Sequence, residues 1–95
     1  MGRSVVWSTE ASDRISEIIE YLEFNWSQTE INTFLSQLAE LEKRISKHPK
    51  LYPASVKKPD LRKAVISKVN SVIYKVTEES VQIVTVFDNR SNKNI

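Results

Sequence analysis

Two arginines, Arg62 and Arg90, are the side chains of this sequence best suited to recognising an anion, because a planar guanidinium donates paired hydrogen bonds to phosphate or carboxylate. A structural ion pair with Asp60 or Asp88 is the competing account, and the sequence leaves both open. Lys57, Lys58, Lys63 and Lys68 would extend a basic surface around them, unless they are simply solvated. His48 is the only histidine and the natural general base for a proton transfer. It precedes Pro49 at the end of a helical pattern, where an imidazole meets exposed carbonyls, so capping or solvent exposure explains it better. Tyr74 lies in a run of valine and isoleucine and reads as a core residue with a hydrogen-bonded hydroxyl. Glycine-rich phosphate loops, His-rich metal spacings and a Ser-His-Asp pattern are all absent, so no cofactor or metal is expected.

These cations are unevenly placed along the chain. Residues 1–42 carry two basic and eight acidic side chains, and residues 43–95 carry twelve basic and four acidic, although the net charge is only +2. A basic second half attracts polyanions such as nucleic acid, or an acidic protein partner. With 95 residues, 40% of them hydrophobic, a single domain spanning residues 1–95 is expected, large enough for one core. No cysteine is present, so neither disulfides nor thiolate metal sites hold the fold together. No stretch approaches the roughly 20 apolar residues of a membrane span, and the start of the chain lacks the apolar run of a secretory signal. The expectation is a soluble, cytoplasmic protein with no membrane partner.

The elements that must position these side chains follow from hydrophobic period. Val5, Val6 and Trp7 make a short strand, and Ser8 or Thr9 caps the helix that follows. Ala11, Ile15, Ile18, Ile19 and Leu22 recur at three- and four-residue steps with acids on the other faces. Ser27-Gln28-Thr29-Glu30 is a capping box for a second helix, and Trp26 and Ile31 are spaced as a hydrophobic staple. Its apolar stripe, Phe34 to Ile45, ends at Pro49. Residues 49–60 read as a loop, long for an idle connection. Leu61 to Ile66, Ser71 to Val76 and Val81 to Phe87 then form an antiparallel meander. The last strand carries apolar groups on both faces and is expected to be central, with the first strand beside it.

The order β-α-α-β-β-β, together with Val5-Val6-Trp7-Ser8, Asn25-Trp26, Phe34-Leu35, Leu51-Tyr52-Pro53, Leu61-Arg62 and Val84 to Arg90, resembles the ParE/RelE superfamily of toxins over nearly the whole chain. The resemblance implies an α+β fold, a helical hairpin packed on a twisted antiparallel sheet. It also implies a cognate antitoxin, ParD-like or related, that folds as it wraps the toxin. An antitoxin with an amphipathic helix and acidic residues, laid across the hairpin and the sheet's basic edge, is expected.

Targets differ between branches of that superfamily. RelE-like members cut messenger RNA on the ribosome with sheet-borne lysine, arginine and tyrosine, whereas ParE-like members poison DNA gyrase without that set. Laid on the RelE-like strands, Ser71 and Ala64 stand where those toxins carry cations, Arg62 falls at a sheet lysine and Arg90 near a late arginine. The late tyrosine has no counterpart in Ser91 to Ile95. The resemblance therefore points to a ParE-like, non-catalytic inhibitor of DNA gyrase with Arg62, Arg90 and Lys93 contacting the target. The alternative is a ribosome-dependent mRNA endonuclease using Arg62, Lys68 and Arg90.

Overall fold

A computed structural model describes residues 2–89. Strand β1 (Ser4–Trp7) leads into helix α1 (Thr9–Asn25), which turns back into helix α2 (Gln28–Lys47). Strands β2 (Leu61–Val65), β3 (Asn70–Val76) and β4 (Ser80–Asp88) complete the order β-α-α-β-β-β. The sheet order is β1-β4-β3-β2, which places the last strand inside and the first strand beside it, as the sequence predicts.

The sheet is mixed rather than wholly antiparallel. β2, β3 and β4 form the antiparallel meander, but β1 runs parallel to β4. The cause lies in where α2 returns the chain. The Arg3 backbone N–H donates to the Ser46 carbonyl (3.0 Å), and the Ser46 hydroxyl donates to the Arg3 carbonyl (2.5 Å). The end of α2 is thus tied to the start of β1, and β2 enters the sheet at that same end. Two tight reversals later, β4 points the way β1 does.

Ser8 joins the sheet to the helices. Its backbone N–H donates to the Ile83 carbonyl (3.0 Å), its hydroxyl donates to the Val84 carbonyl (2.6 Å), and its oxygen accepts from the Ala11 N–H (3.0 Å). Such a side-chain cap satisfies one of the helix's orphan donors. Val84 can supply that carbonyl because it is the extra residue of a β-bulge: Ile73 pairs with Thr85 and Tyr74 with Ile83, leaving Val84 unopposed. The bulge also shifts the alternation, so Val81, Ile83 and Val86 are buried under the helices while Val84 is exposed.

At the second helix start, the Glu30 carboxylate accepts from the Ser27 backbone N–H (3.2 Å) and from the Ser27 hydroxyl, closing the capping box. Those bonds hold the Glu30 carboxyl below its ordinary range. Ile31, Phe34, Leu38, Leu41 and Ile45 then run down the buried side of α2 at helical spacing, the last four of them in one core with Ala64, Val72, Tyr74, Val81 and Ile83 of the sheet. Helix α1 is shallower, with Ala11 buried and Ile15, Ile18 and Leu22 only half-buried. No helix of the described residues is long and apolar enough to cross a membrane.

Candidate functional site

Arg62 and Tyr74 are cross-strand neighbours, and both point into a closed corner where α2 ends. The Tyr74 hydroxyl donates to the Pro49 carbonyl (2.7 Å), and the residue is 0% exposed. Burial raises the phenol above its ordinary value, with the Arg62 charge pulling the other way. Tyr74 is therefore the core residue that its flanking sequence implies. The Arg62 guanidinium donates to the Tyr52 carbonyl (2.5 Å), and Arg44 donates to the Tyr52 hydroxyl (2.8 Å). The Tyr52 and Tyr74 rings meet edge to face at 6.5 Å. Arg62 thus holds the 48–60 loop against β2; a bond to a backbone carbonyl takes the place of the ion pair with Asp60 that the sequence left open.

His48 caps α2, its backbone N–H donating to the Arg44 carbonyl (2.8 Å), and its side chain is exposed. With its hydroxyl bonded to Pro49 and its ring packed on Tyr52, the buried Tyr74 is not open to a substrate, while His48 stands exposed at the helix end.

The remaining lysines scatter. Lys57 and Lys58 are exposed on the loop. Lys63 projects from the opposite sheet face to Arg62, with its ammonium 4.7 Å from the centre of the Phe87 ring. Lys68 lies exposed in the β2–β3 turn, at the far end of β2 from Arg62 and more than about 10 Å along the strand direction. Arg62 and Lys68, two of the three nuclease candidates, are therefore not brought together. Arg90 and Lys93 lie outside the described residues. The two positions where cations are missing are both fully buried: Ala64 in the core, and Ser71 with its hydroxyl donating to Asn89 (2.9 Å).

Asn89 is a positioning residue that the sequence did not single out. Its backbone N–H donates to the Val69 carbonyl (2.6 Å) and its amide to the Ser67 and Lys68 carbonyls (3.3 Å each). It fixes the end of β4 against the β2–β3 turn. The Asp88-Asn89-Arg90 run was visible in the sequence, but only the fold reveals what the asparagine binds.

A second feature escaped the sequence reading altogether. Between the helical hairpin and the upper part of the sheet lies a groove of about 720 Å³. Ile18, Leu22, Trp26, Phe34, Val69 and Val86 give it an apolar floor, while Arg14 and Glu17 stand on its rim. Packing alone accounts for Phe34, which is buried, but not for Trp26, which is 54% exposed. Tyr21 and Phe24 beside it are exposed as well. The legible signal was Tyr21, Phe24 and Trp26 crowded at a helix–helix turn, more large aromatic surface than one turn can bury. No cluster of His, Cys, Asp or Glu suited to a metal ion occurs among the described residues.

A helical hairpin on a four-stranded sheet, with β1 parallel to β4, is a fold shared with solved chains of small toxin–antitoxin proteins. One is a chain of the chromosomal ParDE system of P. aeruginosa, at 14% identity over 90% of this chain and 95% of that one, with a TM-score of 0.74. The YoeB dimer of Staphylococcus aureus gives 15% identity, 90% and 94% coverage and a TM-score of 0.62. The DinJ–YafQ toxin–antitoxin complex of E. coli gives 14% identity, 93% of each chain and a TM-score of 0.61. No curated protein matches the sequence. The family model for the ParE toxin of the type II toxin–antitoxin system parDE matches residues 5–92, and the chain belongs to that family. It is a toxin of a type II toxin–antitoxin system.

Proposed function

We propose that this toxin arrests growth in the cytoplasm by binding DNA gyrase and trapping it, with no bond made or broken by its own side chains. The observation that carries this reading is the closed corner around Tyr74. Cleavage through an RNA 2′-hydroxyl needs a base, an acid and cations over the phosphate, all within reach of one open site. Here the phenol is buried on a backbone carbonyl, and Arg62 is engaged by the loop. His48 is exposed at a helix end, and Lys68 lies at the opposite end of β2. Arg62, Arg90 and Lys93 remain the candidates for target contact, with Arg62 acting through the loop it holds.

The groove under the hairpin is the surface we assign to the antitoxin. Its apolar floor is large enough to receive several side chains of an amphipathic segment, and half-exposed Trp26 and Tyr21 are typical anchors for such a contact. Incubating purified toxin with gyrase and supercoiled plasmid tests the function. Accumulation of linear, enzyme-linked DNA is expected, with ribosome-bound messenger RNA left intact. Cuts in ribosomal A-site codons without any effect on gyrase would establish the endonuclease instead.

A further inference from the structure

The end of the molecule opposite the groove carries a charge that neither the antitoxin surface nor the closed corner explains. Between residues 43 and 62 the chain has seven basic side chains and one acid, Asp60. Lys43, Arg44, Lys47, Lys50, Lys57 and Lys58 are all exposed, and Arg62 is half-buried behind them. They sit on three pieces of chain that are stitched to one another. His48 and Leu51 close the end of α2, with the Leu51 N–H donating to the His48 carbonyl (3.0 Å). Ala54 bridges Arg62 on the outer edge of β2, and the Ser55 N–H donates to the Leu61 carbonyl (2.7 Å). The Lys58 N–H then donates to the Ser55 hydroxyl (3.2 Å), and the Leu61 N–H to the Lys58 carbonyl (2.9 Å). The lysines therefore project from a fixed backbone.

Two features decide what such a surface recognises. First, Arg44 and Arg62 donate to the Tyr52 hydroxyl and carbonyl, and among the described residues neither has a carboxylate partner. Both positive charges therefore stay uncompensated. Second, the corner offers little aromatic surface for stacking: among the described residues the exposed ring there is the small His48 imidazole. Tyr52 stands edge-on to Tyr74, and its hydroxyl is taken by Arg44. Single strands are bound by stacking bases on aromatic faces, whereas a duplex is held through its phosphates.

We infer that the corner formed by the end of α2, the 48–60 loop and the start of β2 binds the phosphate backbone of double-helical DNA. The choice of DNA as the duplex rests on the gyrase reading: a toxin that traps gyrase works beside the DNA segment that gyrase holds. Binding is independent of sequence, is lost as salt rises, and adds to the toxin's hold on the enzyme–DNA complex without using the groove.

The test uses the full-length toxin and a labelled random-sequence duplex, followed by fluorescence anisotropy from 20 to 300 mM salt. Neutralising about five phosphates gives a log–log salt slope of about four or more. The double variant Lys57→Glu/Lys58→Glu should weaken duplex binding about tenfold or more, while Lys75→Glu on the exposed part of β3 should change it by less than about twofold. Lys58→Glu alone, matched in charge to Lys75→Glu, separates a local surface from net charge. Circular dichroism of each variant confirms that the loop changes leave the fold intact. Equal losses from Lys58→Glu and Lys75→Glu, tighter binding of single-stranded RNA, equal binding of poly-glutamate, or no duplex binding at low salt would each overturn the proposal. The same proteins in the gyrase assay keep the two readings apart. Corner-dependent duplex binding without gyrase trapping removes the gyrase reading and leaves the corner standing. Trapping that is untouched by the double variant, in a toxin that binds no duplex, removes the corner alone.

Discussion

Helix α2 has two ends in opposite surroundings. Its first turns, with the end of α1, border an apolar groove beside an acid-rich surface, and aromatic rings there remain open to solvent. Its last turns lead into a basic loop that is closed by hydrogen bonds: Tyr74 to Pro49, Arg62 and Arg44 to Tyr52, Ser46 to Arg3. The closed end is finished by the chain itself, whereas the open end has apolar surface that the described residues leave uncovered. The same helix can serve both because its buried stripe, Ile31 to Ile45, is continuous between them.

That continuity is the easiest part of the comparison to break. Leu41 is 2% exposed, in the part of the stripe that joins the two ends. Leu41→Ala should cost about 2 to 5 kcal/mol in chemical denaturation and lower both ends in one cooperative transition. Two separate transitions, followed by Trp26 fluorescence and by far-ultraviolet dichroism, would show that the ends are independent.

Trp26→Ala sharpens the contrast from the open side. As an anchor it should weaken antitoxin binding by about 2 to 4 kcal/mol in calorimetry, with little change in the toxin's own melting temperature. The reverse pattern, lost stability with unchanged affinity, would make the ring ordinary packing.

Tyr74→Phe probes the closed side. Removing the hydroxyl leaves the Pro49 carbonyl without its donor and should cost about 1 to 2 kcal/mol, yet growth arrest should persist. The phenol is held above its ordinary 10.0, so the folded state keeps its proton better than the unfolded chain. Stability from this source is complete below about pH 10 and falls as pH rises beyond it, a loss that the Phe variant lacks. Complete loss of toxicity by a well-folded Tyr74→Phe protein would reinstate a catalytic tyrosine.

The smallest effect concerns two glutamates of α2, Glu30 and Glu42. Glu30 is held below 4.5 by Ser27, so it stabilises the fold above that pH and ceases to as pH falls through its lowered value. Glu42 is held above 4.5 by burial, with Trp7 opposing, so its contribution declines as pH rises past 4.5. Glu30→Gln should therefore flatten the acid limb of a melting-temperature profile, and Glu42→Gln should raise stability near neutrality. Identical profiles for the two variants would mean that neither carboxyl is placed as described.

Element order, both helix caps and the central position of β4 were legible because each is written locally. Ser8 and Ser27 stand directly before apolar helical stripes, and three β-rich runs are separated by polar turns. The reason for the apolar surface of β4 was only half legible. Val84 breaks the alternation because of a bulge, and a bulge is a relation between two strands that no single strand reveals. The parallel pairing of β1 was likewise hidden, since it depends on the Arg3–Ser46 link across more than forty residues of chain.

The candidate site divides in the same way. Residue type and spacing alone identified Tyr74 as core and His48 as a helix end, because apolar neighbours and a following proline act within a few residues. They also established the opposite charges of the two halves of the chain. Only tertiary structure decided that Arg62 would bind the Tyr52 carbonyl, that Lys63 would face away from it, and that Trp26 would border an unfilled groove. Those outcomes depend on which surfaces meet after collapse, and hydrogen-bond partners distant in sequence are chosen by packing geometry rather than by local pattern.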